Sequence, residues 1–186
     1  MSERTLKLVF GYLKDIDRPN KKAKSSGLSR RVAVAFDTSR SDRTDMFFDS
    51  RLYLAVLSAI LEAVPHDSLK ISPCSPGEEY SSLSQLERSY RSVAEEEREP
   101  FRSADVFQAG GLIGHINTLR YDSVGGPEPY HDAIVAEVFL RDLDEKKLRM
   151  KISEAAAREG AVIKEIRRGG PAPFISLWTK AGIFFK

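Results

Sequence analysis

The sequence is poor in the residues that most often announce a function. One cysteine, Cys74, stands in 186 residues, so no internal disulfide can form and a reducing compartment is expected. The three histidines, His66, His115 and His131, have none of the familiar metal-ligand spacings, and Cys74 is remote from them in sequence. No metal and no cofactor are therefore expected. A phosphate-binding loop, a dinucleotide fingerprint, a Gly-x-Ser-x-Gly elbow and a His-Glu-x-x-His helix are all missing. No apolar run approaches the ~20 residues of a membrane helix. The longest such region, Leu52 to Leu61, is broken by Ser58. The opening residues, Met1 to Lys7, lack a signal-peptide apolar core. These absences predict a cytoplasmic protein with no membrane association.

An excess of one charge is also missing. With 29 basic and 27 acidic residues the net charge is +2, too balanced for a general nucleic-acid binder. The charges are nevertheless segregated. Residues 1–45 carry a net +5, residues 65–108 a net −4 and residues 141–186 a net +5. Such segments can steer partners of opposite charge.

What is present is an alternation of strand and helix patterns. Thr5 to Leu13 places Leu6, Leu8 and Phe10 on one face, and Arg31 to Phe36 reads as a second, more buried strand. Between them, Lys14 to Arg30 is rich in Lys, Ser, Pro and Gly and reads as a mobile loop. A core helix is predicted from about Met46 to Ala63, limited by Pro65. Leu69 to Ser72 reads as a short strand. Ser82-x-x-Gln85 is a capping box that opens a helix over residues 82–98, with an acidic far end at Glu95, Glu96, Glu97 and Glu99. After Pro100 the pattern is that of a link. A third helix spans about Leu143 to Arg158, with Leu148, Ile152, Ala155 and Ala156 inward and Gly160 as its stop. Strands follow at Ala161–Arg167 and Phe174–Thr179.

The expected class is α+β: a mixed, mainly antiparallel sheet with about three helices, in the order ββα(β)α-ββαββ. The length fits a single domain over 1–186, or two ββα-type halves at about 1–100 and 105–186. Gly125-Gly126-Pro127-Glu128-Pro129-Tyr130 returns in altered form as Gly169-Gly170-Pro171-Ala172-Pro173-Phe174. Either an old duplication or a turn geometry that twice selects Gly and Pro accounts for it.

The central stretch, Leu112 to Leu140, reads as a β-hairpin and holds two of the three histidines. With Asp122 set opposite Tyr130, one face carries Leu112, Gly114, Ile116 and Thr118 against Leu140, Val138, Ala136 and Ile134, a core face. The other sets His115 opposite Glu137 and Tyr121 opposite His131, with Asn117 between. A His–Glu pair fixes a tautomer and raises basicity, and a Tyr–His pair can pass a proton. His115, Tyr121, His131 and Glu137 are thus the candidate catalytic residues, with Asn117 as a binding residue. The plainer reading is a solvent-facing side of the sheet.

A second candidate is the basic segment 18–31, where Arg18, Lys21, Lys22, Lys24, Arg30 and Arg31 stand without an acid and can contact phosphates. It lacks the interleaved aromatics that stack on bases. Cys74 lies between two prolines with no histidine near it in sequence. Lacking a catalytic motif, the chain is expected to be an intracellular, non-enzymatic binding protein, a regulator or an inhibitor or immunity-type partner of another protein. The alternatives are a small hydrolase or transferase on the His/Tyr/Glu face, and nucleic-acid binding through the basic segment.

Overall fold

Period-2 alternation along the strands leaves one apolar face per strand, and those faces join into a seven-stranded sheet of order β3-β4-β5-β6-β2-β1-β7. The computed structural model describes residues 4–12, 21–37, 50–94, 97–121, 133–142 and 144–168; in several strands it gives the backbone but not every side chain. The strands are β1 Arg4–Tyr12, β2 Arg30–Asp37, β3 Ser68–Ser72, β4 Ser103–Gln108, β5 Gly111–Tyr121, β6 Ala133–Leu140 and β7 Ala161–Arg168. The helices are α1 Lys21–Ser25, α2 Ser50–Ala63, α3 Leu83–Arg91 and α4 Glu145–Arg158. All strand neighbours are antiparallel except β1 and β7, which run parallel. The fold is therefore α+β with a mixed, mainly antiparallel sheet. Among the described residues no helix is long and apolar enough to cross a membrane.

One face of the sheet carries the main core. Leu6, Val32, Val34, Ala104, Val106, Ile116, Val138 and Leu140 point into it from five strands. Helix α2 lies on them through Tyr53, Val56, Leu57, Ile60 and Leu61, and α4 lies beside it through Leu148, Ile152, Ala155 and Ala156, the four positions its periodicity predicts. Asp144 caps α4 by accepting from the Lys147 amide at 3.0 Å. Buried Tyr53 meets the Phe101 ring at 5.5 Å, and its hydroxyl shares a 2.8 Å hydrogen bond with that of Thr118. Burial, the dominant influence, pushes its phenol well above the ordinary range.

Four local expectations need correction. The segment read as a mobile loop over 14–30 contains α1. Gly27, at φ +71°, ends it, and the Leu28 amide donates to the Ala23 carbonyl at 3.0 Å. This is a Schellman closure, which brings Ala23 and Leu28 together on the helix underside. The helix expected over 82–98 stops at Arg91, where Ser92 turns its hydroxyl onto the Ser89 carbonyl at 2.7 Å and competes with the helical ladder. The link after Pro100 holds a full strand, β4. It joins β5 through a two-residue turn in which Ala109 and Gly110 both have positive φ.

The fourth correction concerns register. In the central hairpin His115 lies opposite Phe139, and Asn117 opposite Glu137. The pairing is displaced by two residues from the expected one, which preserves parity, so from Gly114 onward the described residues divide between the two faces as expected. Leu112 does not: a bulge opposite Val106 and Phe107 sends Ile113 to the main core and Leu112 to the His115 face. The first turn of the helix expected from Met46, the strand Phe174–Thr179 and both Gly-Gly-Pro loops lie outside the described residues.

Candidate functional site

The second face of the sheet holds the chemistry. Asp105 and His115 are direct cross-strand partners on β4 and β5. Alternation that sends Ala104, Val106 and Ile116 into the core sends these two side chains the opposite way. Both residues are only 4% exposed. His115 Nδ1 lies 2.7 Å from Asp105 Oδ1. A carboxylate can only accept, so Nδ1 carries the proton. The other oxygen, Oδ2, is ion-paired with Lys22 Nζ of α1. Burial pushes the Asp105 carboxyl upward, but hydrogen bonds from His115 and Lys22, with their charges, outweigh it and hold the group below the ordinary aspartate range.

A small apolar cluster adjoins this polar trio. The His115 ring stacks on Phe139 with centroids 6.2 Å apart. Phe139 packs with Ala23 and Leu28, with half-buried Leu112 at the edge. This small cluster is separate from the main core, and α1 is the helix that closes it. The polar face is therefore covered where His115 stands.

The other predicted residues distribute unevenly. Asn117 and Glu137 share the face with His115 and are half-buried. Tyr121 ends β5 opposite Ala133, but its side chain, and His131 altogether, lie outside the described residues. Lys21 and Lys24 are exposed on α1, while Lys22 is turned onto Asp105. Arg30 opens β2 and is half-buried; Arg18 and the Arg31 side chain lie outside the described residues. Sequence reasoning missed Asp105 and Phe139. The signal for Asp105 was an acid set between Ala104 and Val106 in a short alternating run.

Two clefts lie elsewhere. One, of about 290 Å³, is bordered by Ser58, Glu62, His66, Asp67, Ser81 and Leu83. His66 is exposed there, with Nδ1 2.8 Å from the Val64 carbonyl oxygen. The other, of about 380 Å³, is walled by Tyr80, Leu86, Tyr90 and Phe101 with Cys74 and Arg98. Its thiol donates to the Pro100 carbonyl at 2.7 Å. Burial pushes that thiol up, Glu99 adds to the effect and Arg102 opposes it, so Cys74 is a weak nucleophile. Among the described residues no group of three or more His, Cys, Asp or Glu side chains is placed to hold a metal ion. Comparison with protein-family models, with curated proteins and with solved structures found no match.

Proposed function

We propose that the protein is an intracellular, non-enzymatic binding protein that works as a regulator or inhibitor-type partner of another protein. The observation that carries this reading is the closure of the polar sheet face. A catalytic histidine must reach a substrate atom within hydrogen-bond distance. His115 is instead stacked on Phe139, bonded to Asp105 and covered by α1. The basic segment, for its part, pairs the exposed Lys22 with Asp105, which neutralises one cation of any phosphate-binding row.

The test is recovery of the native complex. Tagged protein expressed at its natural level in its own cells should co-purify with a protein partner near one-to-one stoichiometry. If nothing binds stoichiometrically, and purified protein turns over substrates in a way abolished by His115→Ala, the enzyme reading replaces this one.

A further inference from the structure

The cover over the polar face is short, and what lies beneath it is specific. Helix α1 has five residues, well under the ~12–15 that an isolated helix needs for even marginal stability. Its contacts with the sheet face include the ion pair of Lys22 with Asp105 and the burial of Ala23 and Leu28 against Phe139. Beneath it, the Asp105 carboxylate is bonded to His115, whose ring stacks on Phe139, and Leu112 packs beside Phe139. A buried carboxylate is strongly unfavourable without a cation. When α1 lifts, the site it leaves demands a positive charge flanked by apolar side chains.

We propose that this surface is a docking site for a basic, apolar-flanked segment of the protein partner, and that α1 occupies it as an internal stand-in in the resting protein. The inference rests on the binding-protein reading. The occupant's chemistry is set by what α1 now supplies: an ammonium on Asp105 Oδ2, a small side chain beside it, and a larger aliphatic one against Phe139. Charge complementarity selects the cation, and the Phe139–Leu112 wall selects its neighbours. The partner competes with α1 for the same contacts, so docking and release of the cover are one equilibrium.

The probe is a labelled peptide of residues 21–30, added in trans to the full chain and to its Lys22→Glu variant. In the variant a carboxylate faces Asp105, α1 is released, and trypsin should cut after Lys21 and Lys24 much faster than in the wild type. The peptide should bind the variant at least about tenfold more tightly than the wild type. A peptide carrying the same Lys22→Glu change should bind neither. Equal binding to both proteins, no binding to a variant whose α1 is open to trypsin, or an α1 that stays closed would each overturn the proposal. Where Lys22→Glu does not fold, Lys22→Gln with hydrogen exchange decides: α1 amides must exchange faster than in the wild type, and unchanged exchange overturns the latch. A native partner that the peptide cannot displace would overturn this surface and leave the binding-protein reading standing. Peptide docking with no native partner does the reverse.

Discussion

Replacing Asp105 and His115, singly and together, gives the sharpest test of how the covered face is held. In Asp105→Leu, the His115 Nδ1–H loses its acceptor at 2.7 Å in a residue that is 4% exposed. A buried donor deprived of its partner costs about 1–3 kcal/mol. Lys22 also loses its ion pair, but its side chain is 54% exposed and returns to water at little cost. In His115→Leu the damage falls on the charge: Asp105 keeps Lys22 and loses a hydrogen bond to an ionised group, worth roughly 1.5–3 kcal/mol. The double variant, with Leu at both positions, leaves neither a buried donor nor a buried carboxylate, and apolar replacement of a whole buried pair is often neutral or stabilising. The double variant should therefore cost less than the two singles added together, by at least about 1 kcal/mol. Urea denaturation at constant m reads all four corners of the cycle. Additivity to within about 0.5 kcal/mol would mean that the pair does not act as a unit and would refute the reasoning. The pH dependence carries the same information. The folded protein holds Asp105 deprotonated to lower pH than the unfolded chain does, so the unfolded state binds more protons there. Stability from this group is present above the ordinary aspartate range and is lost as pH falls through the lowered folded value. The double variant should show a flatter acid limb.

Three further outcomes follow from the packing. A Cβ at Gly114 would stand 3.1 Å from Leu140 Cδ2 and 3.3 Å from Val106 Cβ, so Gly114→Ala should destabilise by about 1–2 kcal/mol in the same denaturation assay, the overpacking outweighing the smaller entropic gain. Ala109 holds φ +50° as the first residue of the β4–β5 turn, so Ala109→Asn should stabilise by about 0.5–1 kcal/mol, since Asn-Gly suits such a turn. Cys74 should react more slowly with a thiolate-selective reagent near neutral pH than a free thiol does, because burial raises its pKa; faster reaction would show that its environment is misread.

The elements with long, regular patterns were legible in the sequence. Helix α4 buries the four residues its 3.6-residue period selects, and from Gly114 onward the described hairpin residues separate as alternation requires, because parity survives a two-residue displacement; only Leu112, before the bulge at Ile113, falls on the other face. The register itself was not legible, since the turn that would fix it has no single geometry that its composition dictates. Strand β4 was hidden because Ser103 and Asp105 have poor strand propensity, and tertiary pairing with β3 and β5 overrides that preference. Helix α1 was hidden for a related reason. Its five residues carry one buried side chain, Ala23, so no periodicity exists to read, and the helix forms because Phe139, Leu112 and Asp105 receive it. The candidate site suffered most from this. His115 was found from its type and position, but its acid, Asp105, and the Lys22 that pairs with that acid come from the two elements that only the tertiary structure reveals.

That coincidence has a topological side. The chain runs twice through a hairpin, a helix on the core face and a further strand: β1-β2-α2-β3 and β5-β6-α4-β7. The two hairpins meet at the antiparallel β2–β6 pair, which relates them by an approximate two-fold axis normal to the sheet. The last strand of the second unit, β7, runs parallel beside β1, the first strand of the first. The reciprocal place beside β5 belongs to β4, and β3 lies one position further out, parallel to β5 through two antiparallel steps. The Gly-Gly-Pro repeat does not mark this relation. Its first copy lies between β5 and β6 and its second follows β7, positions the two-fold does not exchange. What does stand out is where the two units differ. Strand β4 is an insertion between them, and α1 occupies the longer of the two hairpin connections. Asp105 comes from the first and Lys22 from the second, and they are joined to each other. The ion pair thus links two of the departures from a regular pair of units, α3 between β3 and β4 being another.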